Sequence, residues 1–353
     1  MAKITILGAG IIGMAVASML SRAHEVTIVA RNLPGDDESL GWASPWAGAV
    51  FLGLDGSTPS EQKMQRDAFA YLWSLAITNP ESSVRRIEMN DFQDSTTLDK
   101  IWYQDLMPEF RVMSKDELPK GVILGMSCEY VRYPELKCLT NWPETDKTVV
   151  LTPITFLPWL AKRLKNSGVT FLRKNVGSLA ELKSLGYDVL VNATGCGSKF
   201  LRDVADLNVQ QVRGQTILVK TDYNKILMRH GKDYTYVIPR LDGTAILGGI
   251  KQVDNTDPVV DVDLRNDILR RVHENAPEVF KGSKIENVEI IRDNVGIRPA
   301  RVGGVRVEKE RNGGQNIVHA YGTGGGGYVF SFGVARAAGT LVNDFLFTPP
   351  AKL

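Results

Sequence analysis

The stretch Lys3-Ile-Thr-Ile-Leu-Gly-Ala-Gly-Ile-Ile-Gly13 decides the fold of this chain. Its first residues form an apolar run that predicts a buried strand, and the apolar pattern over 14–20 predicts a helix. Between them the glycines have the spacing G-x-G-x-x-G. Gly8 permits a sharp turn, Gly10 leaves room for a pyrophosphate, and Gly13 lets helix and strand pack closely. The position between a strand and a helix favours dinucleotide binding over a glycine turn without a ligand.

Composition excludes several classes of protein. The chain has 353 residues, of which 43% are hydrophobic and 23% charged, with a net charge of +2. This composition is typical of a soluble protein with about two domains of roughly 150 residues each. The balanced charge does not favour a nucleic-acid partner. No apolar run approaches the roughly 20 residues needed to span a bilayer, so we expect no membrane partner either.

Cysteine and histidine usage predicts no metal site. The three cysteines, Cys128, Cys138 and Cys196, lack metal-ligand spacing, and the four histidines are scattered. A strand at the very start of the chain leaves no room for a signal peptide, so we expect reduced, intracellular thiols.

The last three residues, Ala351-Lys352-Leu353, resemble the C-terminal peroxisomal address Ser-Lys-Leu. We therefore expect a peroxisomal protein that binds the import receptor through this tripeptide, and a cytoplasmic protein otherwise.

The end of the second predicted strand, 25–30, departs from the usual dinucleotide fold. An acidic residue normally stands there and binds the ribose hydroxyls, but this chain has Arg31. Arg31 can meet the 2′-phosphate of NADP or the phosphate and adenosine part of FAD. The motif alone leaves both cofactors open.

Two later turns also follow predicted buried strands. One contains Ala193, Thr194 and Gly195, and the other is the glycine-rich run 322–327, which precedes an apolar helix over 328–347. Open α/β sheets bind ligands at such strand ends, so the three turns should converge. A second glycine-rich turn exceeds what a nicotinamide domain needs, and it favours FAD, which has a large ring system of its own.

The order of the elements predicts an α/β fold (α+β overall) in which two domains interleave. A Rossmann-like FAD-binding domain with a parallel sheet would comprise 1–80, 145–210 and 285–347. A mostly antiparallel β domain that binds the substrate would comprise 81–144 and 211–284, followed by a targeting tail over 348–353. Helices should begin with capping residues at Thr58 and Thr152, and Pro158 should kink the second helix or delay its start.

Several further motifs resemble those of the D-amino-acid oxidase family, with the fungal enzymes nearest. These motifs are Gly8-Ala-Gly-Ile-Ile-Gly13, Ala43-Ser-Pro-Trp-Ala-Gly-Ala49, Arg213-Gly-Gln215, Tyr236-Val-Ile-Pro239, Gly296-Ile-Arg-Pro-Ala-Arg301 and His319-Ala-Tyr-Gly322. The resemblance extends along nearly the whole chain. It implies FAD, and it implies oxidation of a D-amino acid by O2 through an imino acid to a 2-oxo acid, ammonia and hydrogen peroxide.

The chemistry of two residues agrees with that resemblance. Arg298 offers a planar fork for the substrate carboxylate, and Tyr236 can donate a hydrogen bond to the same group. We predict these two as the catalytic residues. The family resemblance also implies a set of cofactor-binding residues. This set is Gly8, Gly10, Ile11, Ile12, Gly13, Arg31, Ala43, Ser44, Gly48, Ala49, Val176, Ala193, Thr194, Gly195, Arg298, Gly322, Gly324, Gly325, Gly326, Gly327, Tyr328 and Val329.

Residues predicted to surround the substrate side chain leave its nature open. Lys251 follows the run 247–250, where the family's D-aspartate oxidases place a cation and its fungal D-amino-acid oxidases can carry an aromatic residue. Arg229 and His230 stand on a predicted loop before Tyr236, and all three could equally be solvated charges. Val329 adds an apolar wall.

We therefore expect a D-amino-acid oxidase of neutral or broad preference, with a D-aspartate oxidase as the alternative. An NADP-dependent reductase and a non-catalytic nucleotide-binding protein are lesser alternatives, and a homodimer is left open.

Overall fold

The protein is described by a computed structural model that covers residues 1–128 and 148–348. Within these residues there are five α-helices, and the strands form three sheets. The helices are α1 (Ile11–Leu20), α2 (Pro59–Thr78), α3 (Pro153–Asn166), α4 (Val262–Asn275) and α5 (Gly327–Phe347). The strands are β1 (Lys3–Leu7), β2 (Glu25–Ala30), β3 (Arg85–Ile87), β4 (Met89–Gln93), β5 (Phe110–Val112), β6 (Leu124–Cys128), β7 (Thr148–Val150), β8 (Thr170–Arg173), β9 (Val189–Asn192), β10 (Val209–Lys220), β11 (Ile226–His230), β12 (Thr235–Pro239), β13 (Thr244–Gly248), β14 (Gln252–Val253), β15 (Glu289–Arg301), β16 (Arg306–Asn312) and β17 (Gln315–Tyr321).

The first sheet has six strands in the order β16-β17-β9-β1-β2-β8. All neighbours are parallel except β16 and β17, which are antiparallel. Strands from both ends of the chain therefore share one sheet, as the sequence predicts. Because the parallel strands end at the same edge, the turns after β1, β9 and β17 lie together there.

The second sheet has the order β14-β10-β13-β12-β11-β4-β6-β5, and β15 pairs with β10. Its pairs are antiparallel except β4 with β11, which is parallel. The sequence-based division puts 285–301 in the cofactor domain, but β15 pairs with β10 over Glu289 to Arg301 and so belongs to the second sheet. The other domain limits stay predictions. Strands β3 and β7 form a separate antiparallel pair.

The starts of helices α2 and α3 agree only in part with those predicted from the sequence. The hydroxyl of Thr58 accepts a hydrogen bond from the backbone N–H of Glu61, and the Glu61 carboxylate accepts from the Thr58 backbone, so the predicted capping box at α2 is confirmed. Thr152 is the N-cap residue of α3, as the sequence predicts, but its side chain makes no capping hydrogen bond there.

Pro158 does not delay the start of α3, since the helix begins at Pro153 and continues through Pro158, and the alternative that Pro158 kinks the helix stays a prediction. Pro158 is exposed, and so is Ile154 four residues before it. The carbonyl that loses its helical partner can therefore be hydrated.

Several sequence predictions fall outside the described residues. They concern a strand that the sequence predicts over 128–133, of which only Cys128 is described, together with Cys138 and the C-terminal tripeptide. The targeting and import-receptor predictions therefore stay predictions. Among the described residues, no helix is long and apolar enough to span a membrane.

Candidate active site

One cleft of about 1260 Å³ runs along the carboxyl edge of the first sheet and reaches the second sheet. Arg31 and Val176 line one part of it, and Tyr236 and Arg298 line another. The three turns predicted to converge also border it. All the predicted cofactor residues line the cleft except Gly13. A Cβ on Gly13 would lie 1.9 Å from the carbonyl oxygen of Gly8, so Gly13 allows α1 to pack against the turn instead.

The first glycine turn presents the N-terminus of α1 to the cleft. Gly8 has a φ of +117°, a conformation that glycine adopts readily, and Gly10 is the N-cap residue with no side-chain cap. The hydroxyl of Ser44 accepts a hydrogen bond of 3.0 Å from the backbone N–H of Ile11. No acidic residue occupies the first turn of α1. A helix N-terminus of this kind attracts a phosphate.

The last glycine turn presents a second helix N-terminus to the same cleft. Gly326 is the N-cap residue of α5, again without a side-chain cap. The hydroxyl of Tyr328 donates a hydrogen bond of 3.0 Å to the carbonyl of Ser44. Because the Ser44 hydroxyl also accepts a bond from Ile11, Ser44 connects the two glycine turns. Burial raises the pKa of Tyr328, which keeps the hydroxyl protonated as a donor.

The turn after β9 is held by polar side chains beneath it. The carboxamide oxygen of Asn192 accepts a hydrogen bond of 2.8 Å from the Thr194 hydroxyl, and the Asn192 nitrogen lies 3.2 Å from Nδ1 of His319. His319 is fully buried, and this burial lowers its pKa. The network fixes the backbone of Ala193 to Gly195 at the cleft.

These features fit the predicted FAD. The cofactor is long and anionic in its middle, and the cleft is long and faces two helix N-termini whose N-cap glycines provide no side-chain cap. Arg31 lines the cleft and is exposed, and its guanidinium donates to the side chain of Asn32 at 3.1 Å and to the carbonyl of Gly41 at 3.3 Å.

Arg298 lies on β15 at the part of the cleft that the second sheet borders. Its Nη1 donates a hydrogen bond of 2.7 Å to the carbonyl of Ile250, and its Nη2 lies 3.4 Å from the Tyr236 hydroxyl. A Cβ on Gly214, on the paired strand β10, would lie 2.5 Å from the guanidinium nitrogens. Glycine at position 214 therefore leaves the space that the guanidinium occupies.

Tyr236 is buried on β12 beside Arg298, with 7% of its surface exposed. A Cβ on Gly248 or Gly249 would lie 2.2 Å from atoms of its ring. The ring of Tyr234 packs edge-on against it with centroids 5.6 Å apart. Both tyrosines line the cleft, so the structure brings the predicted carboxylate-binding pair together and adds Tyr234 to its surroundings.

Lys251 and Val329 also line the cleft, as the sequence predicts. The ammonium of Lys251 lies 4.4 Å from the centre of the Tyr234 ring, an arrangement typical of a cation–π contact. Partial desolvation in the cleft, reinforced by the positive charge of Arg298, lowers the pKa of Lys251.

The structure contradicts the predicted position of Arg229. It lies on β11 and not on a loop, and its side chain is buried away from the cleft. Its guanidinium bonds to the carboxylate of Asp94 at 3.0 Å and to the side chain of Asn275 at 3.0 Å. Because this buried charge is paired locally, Arg229 is not a pocket residue.

Sequence reasoning missed two acidic residues near the part of the cleft that Tyr236 and Arg298 line, which is the predicted substrate part. Asp55 is exposed, lines the cleft and lies close enough to Lys251 to interact with it electrostatically, and partial desolvation in the cleft raises the pKa of Asp55. Asp91 is 1% exposed on β4 and lies 3.4 Å from Nε2 of His230, which lines the cleft. A single buried carboxyl in a short strand leaves no motif in the sequence.

Comparison with known proteins identifies the family. The family profile described as FAD dependent oxidoreductase matches residues 3–341. The chain is 32% identical to a D-amino-acid oxidase of Schizosaccharomyces pombe, with 94% of this chain and 93% of the relative aligned. It is 30% identical to a D-aspartate oxidase of Talaromyces thermophilus, with 96% and 95% aligned.

A solved structure shows the same fold. Glycine oxidase from Bacillus cereus superposes with a TM-score of 0.72 at 16% identity, over 97% of this chain and 95% of that one. The cleft with its two open helix N-termini, the matched profile and the full-length relatives lead to one conclusion. The chain is an oxidoreductase that uses FAD, and it belongs to the D-amino-acid oxidase family of FAD-dependent oxidoreductases.

Proposed function

We propose that this protein oxidises D-amino acids, with O2 as electron acceptor. The observation that carries the proposal is the pairing of Arg298 and Tyr236, whose Nη2 and hydroxyl oxygen lie 3.4 Å apart in the cleft that fits FAD. The relatives named D-amino-acid oxidase and D-aspartate oxidase support it.

The residues of this chain hold and orient the substrate. The Arg298 guanidinium pairs with the α-carboxylate, and the Tyr236 hydroxyl donates a further hydrogen bond to it. The Arg298 and Tyr236 contacts hold only the carboxylate, so selection of one enantiomer needs a second substituent of the α-carbon to be held as well. Backbone carbonyls near the turn 322–327, which lines the same cleft, are the candidates for holding the amino group. Gly214, Gly248 and Gly249 maintain the positions of the two side chains.

The overall reaction converts one D-amino acid, one O2 and one water into a 2-oxo acid, ammonia and hydrogen peroxide. The chemistry that bound FAD supplies is acceptance of the hydride from the α-carbon and delivery of the electrons to O2. Hydride removal needs no side chain to act as a base. The protein's contribution is therefore binding, orientation and exclusion of water.

An anaerobic titration tests this function. The purified yellow protein is mixed with D-alanine, L-alanine or D-aspartate, and loss of the oxidised-flavin absorbance is followed. Bleaching by a D-amino acid and not by L-alanine is the expected result. A flavin that L-alanine alone reduces, or that none of the three reduces, would contradict the proposal.

We propose a neutral or broad preference for the substrate side chain, because Val329 and Met228 line the cleft as apolar walls. A preference for acidic D-amino acids is the second candidate. Lys251 favours it, since its ammonium lies in the same cleft beside Tyr234. Faster bleaching by D-aspartate than by D-alanine in the same titration would select the second candidate.

A further inference from the structure

A buried carboxyl and an imidazole meet at the wall of the substrate part of the cleft. Asp91 and His230 lie on the neighbouring parallel strands β4 and β11. Asp91 accepts hydrogen bonds of 2.8 Å from the Tyr103 hydroxyl and 3.2 Å from the Gln93 side chain. Its Oδ1 lies 3.4 Å from Nε2 of His230. Within the described ranges, no lysine or arginine pairs with Asp91, and His230 is the basic side chain that it faces.

The Nε2 edge of the His230 ring faces Asp91, and the rest of the ring borders the cleft. Its side chain is 25% exposed, yet Nε2 is buried and has no well-aligned hydrogen bond in the described residues. Nδ1 is not among the buried polar atoms and has no hydrogen-bond partner among the described residues, so it is the ring nitrogen open to the cleft that His230 lines. The ring lies beside that of Tyr234, with centroids 6.2 Å apart.

Burial sets the charges of this pair. It raises the pKa of Asp91 to about 7, assisted by the negative charge of Asp55. Burial also lowers the pKa of His230 to about 4, assisted by the positive charge of Lys251. Between these values the pair holds one exchangeable proton, which it loses as the pH rises past about 7. The titratable groups that face the pair are Tyr103, Asp55, Asp94, Lys251 and Tyr234.

The shared proton determines whether Nδ1 of His230 is a hydrogen-bond donor or a hydrogen-bond acceptor. While the pair holds it, either Asp91 donates to Nε2 or Nε2 carries the proton, and in both cases Nδ1 has an N–H. When the proton leaves, the Asp91 carboxylate accepts from Nε2–H, and Nδ1 becomes an acceptor. The wall of the cleft thus changes from a hydrogen-bond donor to an acceptor.

We propose that His230 recognises the side chain of the substrate and that Asp91 positions it and keeps its proton. With the proton, His230 donates to a side-chain carboxylate, such as that of D-aspartate. Without the proton, the site disfavours a carboxylate and favours uncharged side chains. This inference rests on the proposed oxidation of D-amino acids and makes the preference between its two candidate substrate classes depend on pH.

The test measures kcat/KM for D-aspartate relative to D-alanine between pH 5.5 and 9. In the wild type, we expect this ratio to fall roughly tenfold as the pH rises through neutrality, the worth of one hydrogen bond to a charged group. His230→Leu should abolish the slope. Asp91→Asn should remove the slope and keep the ratio at its low-pH value, because the amide N–H donates to Nε2 and holds the N–H on Nδ1.

Two controls separate this effect from others. Lys251→Met should shift the ratio yet keep its slope, because the slope comes from His230 and Asp91. His273→Leu, which changes a histidine on α4 that does not line the cleft, should behave as the wild type.

A binding measurement does not depend on turnover. Malonate should perturb the flavin absorbance of the holoenzyme with a Kd that rises roughly tenfold over the same pH range, and Asp91→Asn should abolish that rise. A wild-type ratio and a malonate Kd that do not change with pH, or a slope that survives in Asp91→Asn, would overturn the inference. If the wild type oxidises no D-amino acid, the proposed function fails, and the malonate titration alone decides whether His230 recognises a carboxylate.

Discussion

The cleft has a cofactor part, which fits FAD, and a proposed substrate part, which Tyr236 and Arg298 line, and the two are built by different means. The cofactor part consists mainly of backbone, namely turns that end strands of the first sheet and two helix N-termini whose N-cap residues, Gly10 and Gly326, have no side chain. The substrate part consists of side chains on the second sheet, where Tyr236 and Arg298 meet although 62 residues separate them in the chain. A backbone site depends on the absence of side chains, whereas a side-chain site depends on the partners that hold each group.

The two parts should therefore fail differently when they are mutated. A methyl group added in the cofactor part should weaken retention of FAD. A truncation in the substrate part should leave the yellow cofactor in place and remove turnover. The following predictions test this distinction.

The largest expected effect is that of Arg298→Ala. Removing a charged hydrogen-bonding partner of a carboxylate costs about 3 kcal/mol or more, which is roughly a hundredfold or greater loss in kcat/KM. FAD should stay bound, as its absorbance spectrum would show. Arg292→Ala is the matched control, because Arg292 lies on the same strand but is exposed and pairs with Glu38. Unchanged turnover in Arg298→Ala would remove Arg298 from the site.

Gly10→Ala tests the cofactor part. The added Cβ would lie 3.0 Å from the Ser44 hydroxyl and would occupy the space at the N-terminus of α1. Crowding of this kind costs about 1–3 kcal/mol, so the Kd for FAD should rise roughly 10- to 100-fold. Equilibrium dialysis or fluorescence titration of the apoprotein with FAD measures it.

Gly339→Ala is the control for that experiment. Gly339 lies in α5, where the nearest atom to an added Cβ is the flexible Met19 sulfur at 3.1 Å. A Gly10→Ala protein with normal FAD affinity and a poor KM for D-alanine would contradict the distinction between the two parts.

The same distinction explains what the sequence could predict. The G-x-G-x-x-G turn and the run 322–327 are contiguous, so local spacing was enough to predict strand, turn and helix, and the structure confirms them. Arg298 and Tyr236 required the motifs of a family, because nothing local shows that β12 and β15 border the same cleft.

Positions fixed by tertiary partners could not be predicted. Arg229 turns away from the cleft because Asp94 and Asn275, both distant in sequence, bind its guanidinium. Asp91 faces His230 because β4 pairs with β11, and nothing in the sequence indicates that these two strands are neighbours. In each case the alternation along a strand was ambiguous, because both faces of this part of the sheet are buried.

Tyr236→Phe should have a smaller effect than the first two substitutions. It removes one hydrogen bond to the substrate carboxylate and keeps the ring that packs against Tyr234. A hydrogen bond to a charged group contributes about 1.5 kcal/mol, so kcat/KM for D-alanine should fall roughly tenfold while the FAD content stays constant. A loss as large as that of Arg298→Ala would show that the hydroxyl does more than assist carboxylate binding.

The smallest expected effect is that of Lys251→Ala, and it is selective. The ammonium lies in the cleft beside Tyr234, so its loss should weaken a substrate with a side-chain carboxylate more than D-alanine. Since Lys251 is exposed, screening limits its contribution to about 1 kcal/mol, and kcat/KM for D-aspartate or D-glutamate should fall roughly fivefold relative to D-alanine. Lys232→Ala, at an exposed lysine outside the cleft, is the charge-matched control.

Arg229→Gln provides the sharper contrast, because it should lower the melting temperature by unpairing Asp94 and leave the substrate ratio unchanged. If Lys251→Ala weakens D-alanine and D-aspartate equally, Lys251 does not contact the substrate side chain, and the cleft selects among D-amino acids by other groups.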